Sequence, residues 1–296
     1  MNDDLRPLAF SEYPITLQNM KSPPKTLQMR GQWASSYSKD PDHHRFLCVI
    51  GSRIHSTYGA QAVKKLMAGL RGYPISIVSG LAIGIDSLAH EAALEADLHC
   101  IGFPGSGLGW DVLYPPSRVQ LARRIVEAGG ALMSEWPSSF PFTNWTFAAR
   151  NRIMAGLSHA TLIIEAKQGS GTLKTAEYAE KNDRDLLVVP GSIFSELSYG
   201  PHMLYKRGAI PIFESADILE ALGFTPAPKG AVSEEKFASL DPLSRQIISF
   251  IKRYGEASNE GLSEELNLPA SQLSMKLSDM ELEGIIEIRG SVMYLA

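Results

Sequence analysis

Residues 160–179 read ATLIIEAKQGSGTLKTAEYA. The run from Ala160 to Ile164 is nearly all apolar, as in a strand covered on both faces. Gly169, Ser170 and Gly171 then make a small-residue turn, and a helix-period segment follows. Strand, glycine turn and helix form the unit from which parallel α/β sheets are wound. The turn falls one residue short of a nucleotide-binding P-loop, which needs glycine directly before its Lys-Thr pair so that backbone can wrap a triphosphate. Leu173 stands there, before Lys174 and Thr175. ATP hydrolysis in the P-loop manner is therefore disfavoured, while unpaired amides and a positive helix end still suit another phosphate.

Outward from this unit, further apolar runs alternate with helical segments from Phe46 onward: FLCVI, ISIVS, HCIGF, ALMS, LLVVP and AIPIF. They predict a doubly wound, mostly parallel, Rossmann-like sheet over residues 46–224, whose ligands bind beyond the carboxyl ends of the strands. One covering helix follows GSRIHS, capped by Ser56 or Thr57, with Tyr58, Ala62, Leu66 and Leu70 on one face. Residues 1–45, with SPPK and DPDHH, read as an extended arm with little independent structure. Residues 225–235 read as a linker, and residues 236–296 as a small winged-helix-like domain of three helices and a hairpin turning at Arg289-Gly290.

The chain has 296 residues, 44% of them hydrophobic, enough for a large core and a second small domain. No run approaches a membrane span and the start lacks signal-peptide order, so a cytoplasmic protein is expected. Cys48 and Cys100 sit in apolar runs, as packing thiols do. The net charge is −4. Residues 233–296 carry 11 acidic and 6 basic side chains, net −5, which leaves +1 for the rest. Any nucleic-acid site must therefore be a local patch.

Three strand-to-helix loops could supply it: VIGSR with Gly51, Ser52 and Arg53; VSGLAIGIDSLAH with Gly80 and Gly84; and the Gly169–Thr172 turn. Between the last two lies FPFTNWTFAARNRIMAGLS, where Arg150, Asn151 and Arg152 mark a helix entrance behind Phe140, Phe142, Trp145 and Phe147. Cations interleaved with aromatics suit single-stranded nucleic acid. Most of these rings are expected to fill the core, with Phe147 the stacking candidate. Over 145–175, Arg150, Arg152, Lys167 and Lys174 face only Glu165.

Catalytic patterns are weaker. Asp86 and His90 share a helix face, but a capping carboxylate and a surface histidine explain them. No nucleophile elbow is present, and PGSGLGW at 104–110 misses the dinucleotide pattern. The histidines lack metal-ligand spacing, so neither metal nor cofactor is expected.

Taken in order, GSRIHSTYG, VSGLAIGIDSLAHEAAL, YPP, SEWP, RNRIMAGLS, IIEAKQGSGTLKTAEYA and VVPGSI resemble the DNA-processing protein A family (DprA, also Smf) over about residues 12–215. The resemblance implies a non-enzymatic protein that binds single-stranded DNA and helps load the RecA recombinase in natural transformation, usually as a homodimer. By position, the family's phosphate turn and arginine fall on Gly51, Ser52 and Arg53, its Arg-Asn-Arg segment on Arg150, Asn151 and Arg152, and its second anion loop on Ser170, Gly171 and Thr172. Lys174 departs from the family, which usually has an apolar residue there, as does GPHMLYKRGA. The helical domain often preceding the family's core is not expected in the 45 residues before Phe46. The C-terminal module resembles the family's tail, yet its third helix has only Lys276 against Asp279, Glu281 and Glu283, which argues for a protein contact rather than duplex binding.

A second reading is enzymatic. The GSGT turn is similar to that of phosphoribohydrolases that cleave nucleoside monophosphates, with Glu177 as the following carboxylate.

Overall fold

The computed structural model describes residues 5–226, 237 and 240–295. The chain divides into two compact units, Met1–Thr225 and Pro226–Ala296. In the first, the strands are β1 (Leu5–Pro7), β2 (Gln28–Gly31), β3 (Arg45–Ile50), β4 (Ile75–Gly80), β5 (His99–Phe103), β6 (Ala131–Ser134), β7 (Ala160–Ile163), β8 (Asp185–Val188) and β9 (Ile210–Pro211). Its helices are α1 (Ile15–Gln18), α2 (Ser35–Lys39), α3 (Thr57–Ala68), α4 (Ile85–Glu95), α5 (Val119–Glu127), α6 (Asn144–Leu157), α7 (Gly171–Lys181), α8 (Tyr199–Lys206) and α9 (Ser215–Ala221).

The strands form one nine-stranded sheet in the order β1-β2-β6-β5-β4-β3-β7-β8-β9. β3 pairs in parallel with both β4 and β7, so the chain winds one way from β3 and then returns to wind the other. That reversal is the switch point where doubly wound sheets open a crevice. Alternate residues of β3 serve opposite faces, as strand geometry requires. Leu47 and Val49 join the core under α3, α4 and α5, while Phe46, Cys48 and Ile50 join the core under α6 and α7. Both faces are thus covered, which is why the strands read as continuous apolar runs.

Residues 5–45 are not a loose arm. β2 pairs antiparallel with β6, β1 adds to β2, and Leu17, Leu27 and Met29 are buried in the second core. A polar chain ties this segment down: Ser36 Oγ, His44 Nδ1 at 2.9 Å, His44 Nε2 to Ser76 Oγ at 2.8 Å, Ser76 Oγ to His99 Nδ1 at 2.7 Å, and His99 Nε2 to the Gln32 carbonyl at 3.1 Å. The carbonyl only accepts, so His99 carries its proton on Nε2. Ser76 therefore donates to His99 Nδ1, His44 donates from Nε2 to Ser76, and Ser36 donates to His44. Every link points one way. Ser76→Ala, which strands both rings in a buried site, is expected to cost about 2–3 kcal/mol in urea unfolding. A loss under about 0.5 kcal/mol would refute the chain.

The stripe on α3 is shifted from expectation. Ser56 is the cap, its side chain accepting from the Gly59 amide, and Gly59, Val63, Leu66 and Met67 are buried. Tyr58 is 51% exposed, its hydroxyl donating to the Pro190 carbonyl.

The second unit contains α10 (Pro242–Tyr254), β10 (Ala257–Ser258), α11 (Asn259–Leu266), α12 (Ala270–Leu282), β11 (Ile286–Arg289) and β12 (Val292–Leu295). The three helices and the hairpin are present, and β10 adds a strand to give the order β10-β12-β11. Ile247, Ile251, Leu273, Leu277 and Met280 form its core. Asp241 caps α10 at the Leu243 and Ser244 amides and binds Lys276 at 2.7 Å. The cation of the third helix is therefore engaged. Most of the linker expected at 225–235 lies outside the described residues. Among the described residues no helix is long and apolar enough to cross a membrane.

Candidate nucleic-acid interface

At the carboxyl end of β3, beside the switch point, lies a cleft of about 560 Å³. Gly51, Ser52, Arg53, Phe147, Arg150, Asn151, Lys167, Ser170, Gly171 and Thr172 line it, joined by Asp86, Ile54 and Thr175. Three loops and one face of α6 thus converge. Phe147, Arg150, Asn151 and Met154 follow helical spacing down that face.

Arg150 and Asp86 form the floor. Both are buried, with Arg150 Nη2 at 3.7 Å from Asp86 Oδ2, and Arg150 also donates to the Phe103 carbonyl. Gly80 makes room for them: a Cβ there would lie 2.3 Å from Arg150 Nη2 and 2.5 Å from Asp86 Oδ2. Burial raises the Asp86 carboxyl to about 6, opposed by Arg150, by the Ala82 amide, by Arg53 and by the Gly51 amide. Burial likewise lowers the Arg150 guanidinium to about 10 against the pull of Asp86, so it stays charged at neutral pH. Asp86 is not a cap, because Gly84 occupies that position of α4, and His90 is buried rather than on the helix surface.

Arg53 and Lys167 are the exposed cations of the cleft. The Arg53 Cζ lies 4.9 Å from the Phe147 ring centroid, and that of Arg150 lies 4.5 Å from the same ring. Among the described residues Arg53 forms no ion pair. Phe142 and Tyr114 meet Phe147 in T-shaped contacts at 5.0 and 5.9 Å, so this ring serves as a mount for two guanidiniums. Gly84, at φ +94°, lets the α4 loop approach Arg53, since a Cβ there would meet Arg53 Cα at 2.6 Å.

The turn before α7 spends most of its donors on itself. The Ser170 amide donates to the Lys167 carbonyl, the Thr172 amide to Ser170 Oγ, and the Thr172 hydroxyl to the Gly51 carbonyl. Ser52 Oγ closes its own turn with Ile54. Among the described residues the Gly171 amide and the Asn151 carboxamide keep no internal partner. Of the amides at 170–172, only that of Gly171 is open to a phosphate.

Two expected residues lie elsewhere. Arg152 is two positions from Arg150 on α6, which turns it to the opposite face. There it binds Glu135 and the Ser22 carbonyl and anchors the N-terminal segment. Lys174 is exposed on α7 and does not line the cleft. Lys167 lines it but pairs with Glu196 at 3.0 Å. The basic patch counted along the sequence is therefore partly neutralised by Asp86, Glu135 and Glu196, carboxylates distant in sequence. Glu177 is exposed and also off the cleft, so the phosphoribohydrolase reading has no carboxylate at the expected place. The aromatics, expected mostly in the core, stay at the surface: Trp145 is 54% exposed, and Phe140, Phe142 and Phe147 are half-buried. α6 also starts earlier than expected, so Trp145 and Phe147 lie in its first turn.

The sequence model of the DNA recombination-mediator protein A family matches residues 7–223. Protein Smf of Escherichia coli K12 is 34% identical over 289 residues, 96% of this chain and 75% of its own. DNA processing protein DprA of Bacillus subtilis is 34% identical over 73% of this chain and 70% of its own. The X-ray structure of DprA from Streptococcus pneumoniae superposes with a TM-score of 0.66 at 33% identity, covering 74% of this chain and 75% of that one. DprA from Helicobacter pylori, described with its single-stranded DNA binding mode, gives 0.63 at 29% identity, covering 75% and 98%.

Proposed function

Because the chain belongs to the DNA recombination-mediator protein A family, we propose that its cleft holds the backbone of single-stranded DNA, independently of sequence and without catalysis. The observation that carries this reading is Arg53, an exposed guanidinium with no ion pair among the described residues, held over Phe147 at the switch point beside the open Gly171 amide. A phosphate there meets a planar fork, an amide at a helix start and the Asn151 carboxamide. Lys167 adds charge once drawn from Glu196. The protein then works in the cytoplasm as a homodimer that hands its strand to RecA during transformation.

The test is binding of labelled oligo-dT to the full chain over a salt series, with duplex of equal length as comparison. Arg53→Ala is expected to weaken single-strand binding about 10- to 100-fold, the worth of a charged hydrogen bond or two, and to flatten the salt dependence. Arg152→Gln is expected to change affinity less than about 2-fold while lowering stability, since it leaves Glu135 unpaired. Equal binding of duplex, or an unaffected Arg53→Ala, would overturn the site. The transfer step is read as faster RecA assembly on a strand bound by this protein than on a naked one.

A further inference from the structure

A second cluster of rings lies further along the same sheet edge. Trp136 stacks with Phe140 at 5.3 Å and 30°, and Trp145 meets Trp136 edge-on at 4.8 Å and Phe140 at 6.2 Å. These residues follow β6, whereas Arg53 follows β3, and β5 and β4 lie between. Three strand spacings of about 4.8 Å set the ends of β3 and β6 roughly 14 Å apart. On the Phe147 side the rings continue: Tyr114 and Phe142 stack at 3.9 Å and 9°, and Phe142 touches Phe147 at 5.0 Å. The first turn of α6 spans the two, with Phe147 on the face toward the cleft and Trp145 on the opposite face, beside the loop after β6.

We propose that Trp145, seated on Trp136 and Phe140, is a base-stacking subsite for the strand whose phosphates the cleft takes. The inference rests on the single-strand reading of that cleft and adds the path: across the carboxyl edge, over the start of α6, from β3 toward β6. At about 3.4 Å per stacked nucleotide the span covers some four nucleotides, fewer if the strand is extended. Two observations select a base as the occupant. An indole 54% exposed yet fixed by two ring neighbours offers a rigid apolar face at little entropic cost. The neighbouring cation on this face of α6, Arg152, is already bound to Glu135, so this subsite recognises no phosphate of its own. Every base has a π-face, so the contact is independent of sequence.

The test compares Trp145→Ala and Trp145→Phe with the unaltered full chain on two labelled 20-mers of equal charge, oligo-dT and an abasic strand. Trp145→Ala is expected to lose about 5- to 150-fold on oligo-dT, the range for one stacked base, and less than about 2-fold on the abasic strand. Trp145→Phe is expected to restore most of the loss. An equal loss on both strands, or none on oligo-dT, would overturn the proposal; the second result would assign the rings to a protein partner. Arg53→Ala on the abasic strand separates the two readings. An unaffected Arg53→Ala there sinks the phosphate cleft, while the difference between the two strands still judges Trp145.

Discussion

Urea unfolding followed from pH 7 to pH 4 is expected to show a steep loss of stability, because four histidines are held neutral in the fold. Burial lowers His44 to about 3, reinforced by His99, His159 and Arg45. Burial likewise lowers His90, His99 and His159 to about 4 each. In the unfolded chain each titrates near 6.5, so below that pH the unfolded state binds protons that the native state refuses. The stabilisation is complete above pH 6.5 and declines as pH falls toward 4. Asp86 works in the opposite sense. Its folded value of about 6 exceeds the ordinary 3.8, so it favours the native state below pH 4 and that contribution fades as pH rises through 6. Four histidines outnumber one carboxylate, and each net proton changes stability by about 1.4 kcal/mol per pH unit. Near pH 5 the slope is therefore expected on the order of 3–4 kcal/mol per unit. A urea midpoint that stays flat or rises between pH 6.5 and 4.5 would show that these rings are solvated.

The second large effect is at the floor of the cleft. Arg150→Met keeps the volume of the side chain but leaves Asp86 buried without its counter-charge, and a broken buried pair costs about 3–5 kcal/mol. The cost is expected to be greatest at pH 8, where Asp86 must be ionised or take up a proton against the gradient. It shrinks toward pH 5.5, where Asp86 enters the fold neutral. Asp86→Asn placed in the Arg150→Met background removes the charge altogether, and is expected to recover much of the stability at pH 8. Strand binding should not return with it, since Arg150 helps mount Phe147 beneath Arg53. A pH-independent loss in Arg150→Met would indicate that packing, not charge, holds this site together.

The sheet was legible because its central strands are buried on both faces, so FLCVI, ISIVS and ATLII announce themselves without help. β2 was not, since Gln28–Gly31 is short and carries Arg30, and its pairing depends on β6 far along the chain. Within the site, glycine turns and Arg53 were readable because strand-to-helix loops have fixed positions on such a fold. Arg152 was misplaced for want of the helix start: once Asn144 opens α6, residues two apart cannot share a face. The patch of positive charge was overcounted because Asp86, Glu135 and Glu196 reach it only in three dimensions. Most of the rings of Phe140, Phe142, Trp145 and Phe147 were expected in the core, and composition alone cannot say which of four nearby rings stays wet.

The pairing of β2 with β6, Gly31 opposite Ala131, also sets a timetable for synthesis. The first forty residues leave the ribosome with Leu17, Leu27 and Met29 needing cover that does not yet exist. About 100 more residues must be translated before β6 emerges, roughly 5–20 s at ordinary elongation rates. For that interval β2 has only β1 beside it, and its other edge stays open until β6 emerges.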